Sequence, residues 1–129
     1  MTPLEAARNY PAAARIDVPQ YISWADTERD LTAWLGNDMQ LDAMETLYKL
    51  EGKVIASDSP DLLNVWRRLQ TSDHFYYMST KWFSYGDIHK RFNPYSSPYD
   101  AYINFMNIVA DFELTVSDAA ALTVARSPA

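Results

Sequence analysis

Recurrent helix-start signals are the feature that most constrains the fold of this chain. Most pair a Ser, Thr or Asn, which can cap the free N–H groups of a helix, with an early proline or acidic residue. They occur at Thr2-Pro3-Leu4-Glu5, Ser23-Trp24-Ala25-Asp26, Asn37, Ser59-Pro60 and Ser97-Pro98-Tyr99-Asp100. No segment alternates apolar and polar residues as a half-buried strand would. The sequence therefore predicts an all-α fold, a small helical bundle of about four main helices.

Apolar residues recur at helical spacing after three of these signals, which predicts one buried face for each helix. The predicted stripes are Leu41, Met44, Leu47, Tyr48 and Ile55; then Leu62, Trp66, Leu69, Asp73 and Tyr76; and then Tyr102, Phe105, Met106, Val109 and Phe112. A shorter helix is expected around Leu31, Trp34 and Leu35. The periodicity fades after Leu114, so residues 115–129 are predicted to form a tail with a weak helical turn.

Two segments are expected to lack regular structure. Pro11–Gln20 is predicted to be an extended linker, because prolines disfavour helix in the residues before them. Lys81–Ser96 has no sustained period and is predicted to be one long aromatic loop. Aromatic residues make up 14% of the chain, and more than half of them lie between Phe75 and Phe105. Long loops in compact domains are usually functional or disordered, and this one is too aromatic for disorder.

Composition and charge restrict the classes of protein to which the chain can belong. Its 129 residues suit one domain, 1–129. The net charge of -6 repels phosphate backbones, so no nucleic-acid partner is expected. Neither a signal peptide in Met1–Tyr10 nor an apolar run of the ~18 residues that a membrane span needs is recognisable. We therefore expect no membrane partner. The absence of cysteine excludes disulfides and thiolate sites and fits a cytoplasmic protein.

Asp73 has the most unusual predicted environment. On a helix continuing from Leu62 it would lie about 20° from that residue, at the centre of the apolar stripe. A buried, unpaired carboxylate is strongly destabilising, so Asp73 needs a partner or must face a polar cleft. The candidate partners are a buried tyrosine, Arg29, Arg67, Arg68 and Arg91. The residues by themselves leave a structural and a functional role equally open.

The neighbouring polar residues limit the chemistry that the chain can perform. His74 is expected to be a half-exposed helix histidine. His74 and His89 are the only histidines and do not form a metal-binding pair, so we expect no metal and no cofactor. Acidic pairs such as Asp111 and Glu113 diverge on a helix and do not provide the facing carboxylates of a glycosidase. We therefore predict no catalytic residue in this chain.

The aromatic residues near the loop have three interpretations. They could belong to the core, as aromatics at helical spacing usually do. Tyrosine outnumbers phenylalanine, however, and tyrosine keeps a polar group for a wet surface. Such a surface suits sugar rings, which have apolar faces and polar edges. A protein–protein interface favours the same residues, and this alternative stays open.

Long sequence segments resemble the C-terminal part of α-amylase-type enzymes of glycoside hydrolase family 57. The resemblance covers roughly residues 2–114 and is more specific than a short motif, because the segments are long and contain tryptophan. The segments are Ile22–Asp30 (ISWADTERD), Ala33–Gln40 (AWLGNDMQ), Leu69–Met78 (LQTSDHFYYM), Lys81-Trp82-Phe83 and Phe92–Tyr102 (FNPYSSPYDAY).

The resemblance implies a role in binding starch-like α-glucans. Family 57 enzymes are retaining α-glycosidases whose nucleophilic Glu and acid/base Asp lie in an upstream barrel, and a helical domain closes one side of the cleft. Ser72–Tyr77 corresponds to the family's last conserved region. By this resemblance Asp73 is a substrate-binding carboxylate and Tyr76 an aromatic contact, with His74 a weaker correspondence. The candidate substrate-binding residues are Asp73, His74, Tyr76, Tyr77 and Trp82.

The barrel has no counterpart in this sequence. The chain is therefore expected to be a sugar-contacting helical domain that is inactive by itself, with an α-glucan or oligosaccharide and a catalytic barrel as partners, in cis or in trans. A helical interaction module that pairs with a separate barrel or another protein is the alternative. A complete small enzyme fits the residues less well.

Overall fold

The computed structural model describes residues 1–23, 28–81 and 93–126, with side chains up to Leu122. All regular structure in these residues is helical, so the predicted all-α fold is confirmed. The helices are α1 (Pro3–Asn9), α2 (Thr32–Leu35), α3 (Asp38–Lys49), α4 (Glu51–Ala56), α5 (Pro60–Leu69), α6 (Ser72–Tyr76) and α7 (Pro98–Arg126). Helices α3 and α4 pack against α7, α5 packs against α4, and α2 packs against α6, which gives a small bundle.

The predicted helix starts are confirmed at four positions. Thr2 caps α1 in a reciprocal capping box with Glu5. Asn37 does the same for α3 with Gln40. The Ser59 hydroxyl accepts the Leu62 N–H at the start of α5, and the Ser97 hydroxyl accepts the Asp100 N–H at the start of α7. Of the Ser23 signal, residues 24–27 lie outside the described residues.

The buried face of α3 and α4 differs from the predicted stripe. Leu47 is buried as predicted, but Leu41, Tyr48 and Ile55 are exposed, so their assignment to the core was wrong. The residues buried on α3 and α4 are instead Ala43, Leu47, Leu50 and Val54, all at most 2% exposed, and they belong to one core cluster with residues of α7. The two helices thus pack against α7 through a face that is rotated from the predicted stripe.

The helix predicted to run from Pro60 through Asp73 is in fact two helices. Helix α5 ends at Leu69, where the Thr71 hydroxyl donates to the Arg68 carbonyl and the Gln70 amide donates to the Trp66 carbonyl. Thr71 then adopts an extended ψ of 128° before α6 begins. The placement of Asp73 on one stripe with Leu62 was therefore wrong, because side chains compete for the carbonyls that would continue the helix.

Helix α7 is longer than predicted. It continues to Arg126, so the prediction of a tail was wrong for residues 115–126. Val116 is fully buried against the bundle, and Lys53 of α4 forms an ion pair with Glu113 at 2.7 Å. Packing against α4 thus extends a helix whose own apolar pattern is weak.

The N-terminal residues lie outside the core. The segment 11–19 has no regular structure, as predicted for the linker. Helix α1 buries no residue, and apolar side chains along residues 1–22, including Leu4, Ile16 and Tyr21, are mainly exposed. We call residues 1–22 the N-terminal arm. Of the predicted loop, residues 82–92 lie outside the described residues, and the described part from Asn93 to Ser96 is irregular.

Candidate functional site

Helix α6 carries most of the residues that the sequence assigns to substrate binding. Two side chains fasten it to the core: Phe75 is 2% exposed, and Met78, just after the helix, is fully buried. The Phe75 ring packs edge-on against Phe105 of α7, with the ring centroids 5.5 Å apart. These contacts fix which side of α6 points inward and which side points outward.

Asp73 lies on the outward side. Its side chain is exposed, and among the described residues it has no ion pair or side-chain hydrogen bond. The predicted buried environment was therefore wrong, and within this part of the chain the arginine or tyrosine partner is not found. Asp73 stands in the first turn of α6, where the partial positive charge of the helix N-terminus favours a carboxylate. An exposed carboxylate without an internal partner is available to a ligand hydroxyl.

His74 is half-buried, as predicted for a helix histidine. Its ring packs at a tilt against Phe105, with a centroid distance of 5.4 Å. The imidazole thus contributes to the packing of α6 on α7. Its assignment to substrate binding stays a prediction.

Tyr76 and Tyr77 are both half-buried and each packs against another aromatic ring. Tyr76 lies 6.1 Å from Trp34 of α2, and Tyr77 lies 6.0 Å from Tyr95, measured between ring centroids. At three and four residues after Asp73, the two tyrosines share its side of the chain. The carboxylate and two aromatic pairs therefore come together at one surface, which suits a ligand with hydroxyl groups and apolar faces.

An open, mostly apolar pocket of about 390 Å³ shares Trp34 with this surface, but Asp73, Tyr76 and Tyr77 do not line it. It is lined by Trp34, Phe75 and Ser72, together with Ile22, Ser23, Leu31, Leu35, Met44 and Gln70. Trp34 thus connects the pocket with Tyr76. The sequence places Trp34 in a helix but gives no sign that it belongs to the site, because its partner Tyr76 is 42 positions away.

Two amide side chains at the start of α3 bind backbone carbonyls of the site from the core side, a role that was not predicted from the sequence. Gln40 is fully buried and donates from Nε2 to the Ala33 carbonyl at 2.8 Å and the Phe75 carbonyl at 2.9 Å. Its Oε1 accepts the N–H groups of Gly36 and Asn37. Asn37 donates from Nδ2 to the Met78 carbonyl at 2.9 Å. The pattern Asn-x-x-Gln in the sequence indicates a helix cap. The same two side chains also bind residues that are distant in the chain.

A polar cluster connects the start of α2 and the residues before it with Lys81, which lies five residues after the end of α6. Lys81 donates to the Thr32 hydroxyl and pairs with Glu28 at 3.2 Å. The hydroxyl and then the backbone N–H of Thr32 hold the pKa of the Asp30 carboxyl below its usual value, and the Lys81 charge acts in the same direction. Trp82, the fifth candidate residue, lies outside the described residues.

In the described part of the chain, no three His, Asp or Glu side chains gather as a metal ion would require. No described helix combines the length and hydrophobicity of a membrane span.

The chain has a close sequence relative among curated proteins. It is 41% identical over 106 residues to a protein of Methanocaldococcus jannaschii named "Putative alpha-amylase". The aligned part covers 75% of this chain and 22% of that protein, so the chain spans less than a quarter of the relative's length. No family model and no solved structure matches. The chain is thus related to part of an amylase-like protein.

Proposed function

We propose that this chain is the C-terminal helical domain of a family 57 glycoside hydrolase of the α-amylase type. It contributes α-glucan-binding residues to a cleft that a catalytic barrel completes. The observation that carries the proposal is the 41% identity to part of an amylase-like protein. The surface of α6 supports it, because Asp73 is exposed without an internal partner beside the half-buried Tyr76 and Tyr77.

In this function each residue of the surface has a distinct task. The Asp73 carboxylate accepts hydrogen bonds from sugar hydroxyls, and such charge-assisted bonds are stronger than neutral ones. Tyr76 offers the accessible part of its ring to the apolar face of a glucose unit, and Trp34 supports that ring from behind. Tyr77 extends the surface, and Trp82 is proposed as a further sugar contact. The barrel supplies the nucleophile and the acid/base.

The test is a chimera in which this chain replaces the matching segment of the M. jannaschii protein. The chimera is expected to hydrolyse soluble starch, and Asp73→Asn is expected to reduce kcat/KM by about tenfold or more. The chain by itself is expected to release no reducing sugar, since retaining hydrolysis needs two carboxyl groups about 5 Å apart. A chimera that hydrolyses starch equally well with Asp73→Asn and Tyr76→Ala would contradict the proposal.

A second candidate function is a protein-interaction module that pairs with a separate barrel or another protein. The exposed apolar side chains of the N-terminal arm favour it: Leu4 is 58%, Ile16 86% and Tyr21 84% exposed. Where such side chains form a contiguous patch, the patch normally marks an interface. The two functions differ in the ligand that α6 meets, and only the first makes Asp73 important for sugar binding.

A further inference from the structure

Helix α6 contains only five residues, which is too few for a helix to be stable by its own hydrogen bonds. Its position therefore depends on contacts made from outside. Apolar packing of Phe75 and Met78 supplies part of them, but packing alone allows small rotations of so short an element. Directional hydrogen bonds to its backbone would prevent such rotations.

Gln40 supplies a bond of this kind from the centre of the core. Its Nε2 donates both protons, one to the Ala33 carbonyl and one to the Phe75 carbonyl. These carbonyls belong to the residues immediately before Trp34 and Tyr76, whose rings pack together. One amide group thus holds the two peptide units from which both aromatic side chains depart.

The other half of the same amide is held as firmly. Oε1 accepts the N–H groups of Gly36 at 2.8 Å and Asn37 at 3.1 Å, so Gln40 is fully hydrogen-bonded and cannot turn over without losing bonds. Asn37 adds a bond to the Met78 carbonyl, beyond the end of α6. The start of α3 is therefore bonded to α6 and its exit at two points three residues apart.

We propose that Gln40 and Asn37 are positioning residues for the surface of α6. Gln40 sets the spacing of Trp34 and Tyr76, and Asn37 sets the exit of the chain after Tyr77. This inference rests on the proposed function only for its ligand, an α-glucan; the positioning itself concerns the folded chain.

The test uses two variants and a control in the isotope-labelled chain. Gln40→Met keeps the length of the side chain and removes its hydrogen bonds. Asn37→Ser keeps a good helix cap and removes the bond to Met78. Val54→Ala is the control, because Val54 is equally buried but lies in α4. The measurements are amide hydrogen exchange in α6 and the NMR cross-peaks between the Trp34 and Tyr76 rings.

Exchange in α6 is expected to accelerate by about tenfold or more relative to α7 in both variants, as for the loss of a net hydrogen bond. The Trp34–Tyr76 cross-peaks should weaken in Gln40→Met and persist in Val54→Ala. Equal exchange and equal cross-peaks in the variants and the control would overturn the proposal. Should Gln40→Met not fold, Asn37→Ser decides by the exchange of α6 alone.

A maltoheptaose titration, followed by NMR shifts of α6, separates this proposal from the proposed function. If the wild-type chain binds, Gln40→Met is expected to bind at least about threefold more weakly, since misplaced contacts lose affinity. Binding that is equally strong in Gln40→Met would overturn the positioning role for the ligand. If the wild-type chain does not bind maltoheptaose, and Asp73→Asn and Tyr76→Ala leave starch hydrolysis by the chimera unchanged, the proposed function fails. The exchange and cross-peak results still decide the positioning.

Discussion

The side-chain amide of Gln40 donates to the carbonyl oxygen of Phe75 at 2.9 Å, although 35 positions separate the two residues in the chain. Gln40 is fully buried, and its side-chain amide donates two hydrogen bonds and accepts two within the core. A buried polar network of this kind stabilises a fold only while every member is satisfied.

Replacing Gln40 by Leu is therefore expected to be costly. The carbonyls of Ala33 and Phe75 would lose their side-chain donor inside the core, and burying such groups unpaired costs about 1–3 kcal/mol each. We expect Gln40→Leu to lower the free energy of unfolding by about 2–4 kcal/mol, measured by urea denaturation. Gln70→Leu is the comparison, because Gln70 is only half-buried. Equal losses in the two variants would contradict the role of the network.

Replacement by alanine is expected to have opposite effects on stability at the two described glycines, Gly36 and Gly52. A Cβ at Gly52 of α4 would meet open space, so Gly52→Ala should raise the free energy of unfolding by about 0.5–1 kcal/mol. A Cβ at Gly36 would overlap the Thr32 carbonyl oxygen, and Gly36→Ala should lower it by about 1–3 kcal/mol. Thermal melts of both variants give the signs directly. A Gly36→Ala variant that is as stable as wild type would be inconsistent with this close approach.

Asp73→Asn should separate a functional carboxylate from a structural one. Since Asp73 is exposed and has no ion-pair partner among the described residues, its neutralisation should change the free energy of unfolding by less than about 1 kcal/mol. Sugar binding or activity in the chimera should fall instead. Asp38→Asn is a matched control, because Asp38 is also exposed in the first turn of a helix. A large loss of stability with unchanged sugar binding would show that Asp73 is structural.

The bond between Tyr102 and Asp42 is expected to make the stability of the chain depend on pH in the alkaline range. Its hydroxyl donates to Asp42 at 2.5 Å, and this bond, followed by burial and the Asp42 charge, raises the pKa of Tyr102. The pKa in the folded chain thus exceeds the value of about 10 in the unfolded chain. The stabilisation is complete below about pH 10 and is lost as the pH rises through the folded value. Tyrosine ring NMR should show a higher pKa for Tyr102 in wild type than in Asp42→Ala.

We expect the isolated chain to self-associate through the N-terminal arm. Its exposed apolar side chains have no cover within the described structure, and such surface promotes association in water. Sedimentation should show a mass that rises with concentration, together with binding of a hydrophobic dye. The double variant Leu4→Ser and Ile16→Ser should reduce both effects without loss of stability, because neither residue belongs to the core. A chain that remains monomeric at high concentration and binds no dye would contradict this expectation.

The sequence by itself determined where four of the described helices begin. The caps at Thr2, Asn37, Ser59 and Ser97 act on N–H groups three residues away, so a short segment contains all the information that they need. The sequence also determined the all-α class, because helical periodicity and the lack of strand alternation are local patterns. The exposure of Asp73 was not predicted from the sequence, because its predicted position assumed one helix that continues past Gln70.

The tertiary structure decided how far α7 continues and which face each helix buries. Helix α5 stops where local bonds from the side chains of Gln70 and Thr71 take its last carbonyls, but α7 continues because Val116 packs against the bundle. Gln40 is polar, yet it occupies the core, because partners from distant parts of the chain satisfy its amide. The surface that unites Asp73, Tyr76 and Trp34 exists only after this packing. Its residues carry the chemistry in the sequence, but their distances depend on contacts that no local pattern specifies.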